Sequence, residues 1–253
     1  MAKPRIYTTS AIVLKYRNYS ESDRFVTLLS RKMGRIEGFA KGVRRSTSKL
    51  TGHLELFYTV RITLAMGKNT DVITEVQILS APDRINQNLN TVSCALNIIE
   101  LALNVSTEGT GNELIYDLLE KTLNKLNTTH ASNSAKLLAY YQLKLLSISG
   151  LSPEFKTCVE CGNILDEQDH LYSAHTGGIV CPSCAPKQAG PLLNLSVNTI
   201  KVLRFLDAED MTKIENFSVP KEILTKTIET LDTHIDYHID RKTRSRSFFK
   251  AFQ

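Results

Sequence analysis

Four cysteines in the stretch CVECGNILDEQDHLYSAHTGGIVCPSC define the sharpest chemistry in this chain. Cys158 and Cys161 form one Cys-x-x-Cys pair, and Cys181 and Cys184 form another after nineteen intervening residues. That separation suits two knuckles closing on one zinc ion. Each knuckle needs a tight turn to aim two thiolates at one point; Gly162 follows the first pair, and Pro182 and Ser183 shape the second. Zn2+ accepts four thiolates tetrahedrally, and a site filled by four cysteines keeps no position for water. The spacing therefore predicts one structural zinc.

Other readings of these residues fit less well. A single Cys-x-x-Cys can be a thioredoxin-type redox pair, but no βαβ pattern surrounds either pair. Disulfides fit poorly with five cysteines and no secretory signal, which point to a reducing cytosol. His170 and His175 lie between the knuckles and could replace a thiolate; with four cysteines at hand they read as surface residues or supports of the ligands. Cys94, among Val92, Ala95 and Leu96, reads as a small core residue. His234 and His238 stand at i, i+4 near Asp236 and Asp240, but no third ligand on that face is evident. They are expected at the helix surface, flanking its apolar stripe.

The charge is unevenly distributed. The 253 residues carry a net +5, but residues 1–50 hold twelve Lys/Arg against three Asp/Glu, and the stretch after Asp240 holds five against none. Residues 51–240 then carry fourteen basic and twenty-three acidic side chains. Two basic blocks on an acidic body suit a polyanionic partner. No apolar run approaches the roughly 18 residues of a membrane span, and the reading is of a soluble cytoplasmic protein without membrane contact. Enzyme signatures are missing: there is no G-x-x-x-x-G-K-[ST] loop, Gly109-Thr110-Gly111 lacks a third glycine, and neither G-x-S-x-G nor H-E-x-x-H occurs. A binding protein rather than an enzyme is expected.

These residues must be positioned by surrounding elements. Thr8–Tyr16, Phe25–Ser30, Arg35–Ala40, Leu54–Ala65 and Val72–Leu79 are short β-rich runs, predicting an N-terminal β-barrel over residues 1–80. An OB-fold leads, with an SH3-like barrel as the alternative. Between the third and fourth runs, Lys41, Arg44, Arg45 and Lys49 share a polar loop with Ser46, Thr47 and Ser48, a composition suited to clamping phosphates. Arg31, Lys32 and Arg35 on the neighbouring hairpin could extend that surface. Helical periodicity then runs over Thr91–Val105, Glu113–Leu126 and Ser134–Ser149 within residues 81–150. The ribbon at 151–190 interrupts it, and helices resume over 191–253, with Ser196 as an N-cap and Pro220 in the first turn of a helix reaching about Asp240. The fold class is thus α+β, multidomain: an OB-fold β-barrel, then an α-helical domain with an inserted four-cysteine zinc ribbon. The tail mixes Arg241, Arg244 and Arg246 with Phe248 and Phe249, fitting either strand binding or docking of its aromatics on the helices.

In the order of these parts the chain resembles the RecO family of bacterial recombination and repair mediators. The resemblance rests on the barrel, Lys41-Gly42-Val43-Arg44-Arg45 with Ser48-Lys49 behind it, Gly150-Leu151-Ser152-Pro153, Cys158-Val159-Glu160-Cys161-Gly162 and Arg244-Ser245-Arg246-Ser247-Phe248-Phe249. It marks the zinc-bearing branch of that family. It implies an ATP-independent, nucleoid-associated protein that binds single- and double-stranded DNA and anneals complementary strands. It also implies cooperation with RecR to load RecA onto DNA coated by single-strand binding protein. A rival of another class is a zinc-ribbon adaptor whose basic loop meets an acidic protein.

Overall fold

A computed structural model describes residues 5–109, 112–239, 243 and 245–251. The chain divides into two compact units, Met1–Thr128 and Thr129–Gln253. No helix among the described residues is long and apolar enough to cross a membrane.

In the first unit, β1 (Ile6–Asn18), β2 (Arg24–Ser30), β3 (Gly34–Ala40), β4 (Thr59–Ala65) and β5 (Asp71–Ser80) close into a barrel of order β1-β2-β3-β5-β4. All neighbours are antiparallel except β3 and β5, which meet in parallel at Gly38/Asp71 and Phe39/Val72. This order is that of the OB-fold, and it decides against the SH3-like alternative. The long β1 serves both β2 and β4, with its register shifting between Val13 and Lys15, the kind of irregularity that lets one strand bend around a small barrel. At the β3–β5 closure a side chain on Gly38 would press to 2.8 Å from Ile73 Cγ1, so the close approach requires glycine. Val13, Val26, Leu28, Ile36, Val60, Ile62, Leu64 and Ile73 alternate inward to fill the interior.

One strand differs from expectation. The run predicted from Leu54 becomes strand only at Thr59. Residues 54–58 form a turn in which Phe57 adopts φ 72° and exchanges backbone hydrogen bonds with Val13 through its own amide and the Tyr58 carbonyl. Leu50 and Leu54 join the barrel core from this loop, so their apolarity reflects burial without strand pairing.

The same unit contains α1 (Leu89–Val105) and α2 (Glu113–Thr128). Asn88 caps α1 by accepting the Asn90 and Thr91 amides, and Ile98, Leu101 and Ala102 on it are wholly buried. Cys94 is buried there too, and burial pushes its thiol well above the ordinary range.

The second unit holds α3 (Ser134–Ile148), a three-stranded sheet of β6 (His170–Ser173), β7 (Gly178–Val180) and β8 (Leu193–Leu195), then α4 (Val197–Ala208), α5 (Met211–Ile214), α6 (Lys221–His238) and α7 (Ser245–Ala251). Gly150, at φ 72°, ends α3, with the Leu151 amide reaching back to the Leu146 carbonyl at 2.8 Å. Ser196 caps α4 through the Thr199 amide, as its position predicts. Pro220 stands one residue ahead of α6 rather than inside its first turn. α3, α4 and α6 pack together, and Leu138, Tyr141, Leu203, Leu206, Leu231 and Ile235 on them are buried.

Candidate metal centre and nucleic-acid interface

The cysteine pairs converge. The Sγ atoms of Cys158, Cys161, Cys181 and Cys184 all lie within 4.8 Å of one another, and Cys161 and Cys181 are 4.0 Å apart. A tetrahedron with metal–sulfur bonds of about 2.3 Å sets its sulfurs about 3.8 Å apart, so the four residues fit one metal ion. Local backbone explains the convergence. In the first knuckle Gly162, at φ 74°, returns its amide to the Cys158 carbonyl at 2.8 Å; in the second the Cys184 amide does the same to Cys181 at 3.0 Å. The segment bearing Cys158 lies against β7, where a side chain on Gly178 would strike Val159 and the Glu154 carbonyl.

Three of the thiols are perturbed, in opposite directions. The Ser183 hydroxyl draws Cys181 down to about 6, whereas hydrogen bonding to Cys181, then burial, pushes Cys184 up to about 12. Burial raises Cys158, but backbone amides led by that of Cys181 outweigh it and leave the thiol lowered. Packed thiolates compete for protons in this way until a cation neutralises them. Cys94 stands outside this set of four.

The histidines of α6 correct the sequence expectation. His234 is not at the surface but 2% exposed, because the ribbon covers that face. Its Nε2–H donates to the Leu151 carbonyl at 2.9 Å, leaving Nδ1 to accept the Tyr172 hydroxyl at 2.6 Å. His238 donates to the Ala174 carbonyl at 3.0 Å, and His175 meets the Tyr237 hydroxyl. The three histidines fasten the ribbon to α6. His170 bonds the Asp166 carbonyl through Nε2.

On the barrel the cations separate into two groups. Arg31 forms a two-pronged pair with Asp117 of α2 at 2.9 and 3.1 Å. Arg35 sends Nη1 to the Leu103 and Ser106 carbonyls at 3.3 and 3.2 Å, covering the C-terminal end of α1 where unpaired carbonyls gather. Lys41, Arg44, Arg45 and Lys49 form the second group, on the loop after β3; Lys32 lies in the β2–β3 turn, at the opposite end of that hairpin, and so does not extend the loop's surface. Their loop is held, however: the Asp23 carboxylate accepts the Gly42 amide at 2.7 Å, the Arg44 amide donates to the Ser22 carbonyl, and Arg44 Nη1 reaches the Ser20 carbonyl.

Two family descriptions match this chain: Recombination protein O N terminal over residues 1–82 and Recombination protein O C terminal over residues 86–247. The chain belongs to the RecO family. It is 35% identical over 246 residues to the DNA repair protein RecO of Dehalococcoides mccartyi, covering 97% of this chain and 95% of the relative. The RecO proteins of Roseiflexus sp. and Desulforamulus reducens are 30% and 28% identical, covering 97% and 96% of this chain and 86% and 94% of their own lengths.

In this RecO-family chain α7 is docked through Arg246 and Phe249. Arg246 is 13% exposed at its side chain, paired with Asp232 at 2.9 Å and with Asp236, and Phe249 is buried. The Asp232 carboxylate also accepts Gln142 of α3 at 2.8 Å. Arg241 and Arg244 lie outside the described residues. Sequence reasoning missed an aromatic group on the barrel, Tyr19, Phe25 and Phe39, whose ring centroids lie 5.1–5.9 Å apart. Only the alternation of β2 and β3 hinted that both phenylalanines face outward.

Proposed function

We propose that the chain is a non-enzymatic recombination mediator in DNA repair. On this reading it binds single- and double-stranded DNA, anneals complementary strands without ATP, and with RecR helps load RecA on strands coated by single-strand binding protein. The barrel, residues 1–80, is the DNA-binding domain. Residues 151–190 form a ribbon locked by one structural zinc on Cys158, Cys161, Cys181 and Cys184.

What carries the DNA reading is the cationic loop of Lys41, Arg44, Arg45 and Lys49, anchored at Asp23 and Ser22 on an OB barrel. A held cluster of cations meets phosphates without first losing the freedom of a floppy loop. Lys32 stands apart from this group, in the β2–β3 turn, and Arg31, Arg35 and Arg246 already hold partners in their own unit. Family membership favours the same role.

The test is the salt dependence of binding to a single-stranded oligonucleotide. Each phosphate contact contributes about 0.7 to the slope of log K against log salt. Replacing Arg44 and Arg45 by Ala in a folded protein should weaken binding and flatten the slope by roughly one to one and a half units. An unchanged slope would move the reading to the protein adaptor, and annealing that requires ATP hydrolysis by the purified chain would reveal an enzyme.

A further inference from the structure

The outer face of β2 and β3 carries a partly exposed aromatic surface. Arg17, Phe25 and Phe39 form one cross-strand row, since Arg17 opposes Phe25 and Phe25 opposes Phe39, and directly opposed residues share a face. Their chain neighbours Val26 and Ala40 are fully buried in the barrel, so this row points outward. Tyr19, in the β1–β2 connection, stands edge-on over both phenylalanines and remains 65% exposed. The Arg17 guanidinium lies 4.0 Å from the Phe25 ring centroid.

The cationic loop begins directly after β3, at Lys41, and is tied to the residue 20–23 turn that follows Tyr19. Aromatic faces and phosphate-binding cations therefore adjoin. An apolar peptide would satisfy the rings alone and an acidic peptide the cations alone. A strand of unpaired nucleotides offers both, because each base presents a π-face and each linkage a phosphate. A duplex hides its base faces by stacking and meets only the cations. Glu37, which opposes Thr27 and pairs with Arg17 at 3.6 Å, puts a carboxylate beside the row on the side away from the loop and leaves the backbone to the loop side.

We propose that Tyr19, Phe25 and Phe39 form a base-stacking platform by which the barrel distinguishes single-stranded from duplex DNA. This rests on the reading that the barrel binds DNA.

Fluorescence anisotropy of the full chain with three probes tests it: an oligodeoxythymidine, an abasic strand of equal length, and a duplex. The parent should prefer the strand with bases over the abasic strand. Tyr19→Ala should weaken oligodeoxythymidine binding roughly fivefold or more, as losing a stacked base does, with the salt slope, the abasic strand and the duplex unaffected. Tyr19→Phe should restore binding. Because Tyr19 is 65% exposed, its loss spares the core, and an unchanged melting temperature verifies this. Equal parent affinity for the strands with and without bases, or an equal loss on both in Tyr19→Ala, overturns the platform while leaving the DNA reading intact. Failure of the parent to bind any strand overturns the DNA reading itself.

Discussion

The Asp23 carboxylate accepts the backbone amide of Gly42 at 2.7 Å, so an acid sets the start of the most basic loop on the barrel. Chiefly that amide, then the Ser20 hydroxyl, holds Asp23 below the ordinary carboxylate range. Gly42 itself adopts φ 65°, a turn that side chains disfavour.

Two effects compete when Asp23 is replaced by Ala. Removing a negative charge favours a polyanion, whereas releasing the loop adds conformational freedom that binding must remove. The second is expected to win: single-strand affinity should fall a few-fold although net charge rises. Titration of parent and variant at one salt concentration checks this, and a tighter-binding variant would show that the loop needs no anchor.

Arg35 should affect stability rather than binding. Its guanidinium covers the Leu103 and Ser106 carbonyls at the end of α1, and hydrogen bonds from charged groups of this kind contribute about 1.5–3 kcal/mol. Arg35→Ala should lower urea stability by that order and leave the salt slope of DNA binding unaltered. A flattened slope would return Arg35 to the phosphate-binding group.

Metal analysis should find about one zinc per chain, since four thiolates close one tetrahedral site. Cys161→Ser should lose it and destabilise the unit Thr129–Gln253, because binding energy of about 10–16 kcal/mol is available only to the folded site. Cys94→Ser should keep its zinc. A metal-free protein with reduced, intact cysteines and unchanged melting would remove the structural role.

Stability should also fall on mild acidification through His234. Burial, aided by His238 and opposed by the Leu151 carbonyl, lowers its imidazole to about 4. Unfolded, it titrates near 6.5, so between these values only the unfolded chain takes up the proton. Its contribution is complete above the unfolded value and is lost as pH falls from about 6.5 to about 4. Between pH 7 and pH 5 the loss should be about 2 kcal/mol. Urea unfolding of parent and His234→Gln, both zinc-loaded, isolates this share, because the metal site is common to both. Parallel pH profiles would assign the acid sensitivity elsewhere.

Local pattern made much of this chain legible. Cys-x-x-Cys spacing fixes two sulfurs on one turn whatever surrounds it, and the alternation of Val26, Leu28, Ile36, Ile62 and Leu64 follows from the two-residue period of a strand. Ser196 caps α4 because a serine before a helical period has its partner amide three residues on. Contacts between residues distant in the chain were decided only by tertiary structure. Whether Arg35 met DNA or a helix end depended on Ser106, and Arg246 on Asp232 of α6. His234, read as a surface residue from its own helix, is buried because Tyr172 and the ribbon arrive from elsewhere in the sequence. The barrel's identity required the parallel closure of Gly38 on Asp71. A sequence period specifies which face of an element is apolar, but not which element arrives to cover it, and that arrival decides which charges remain exposed.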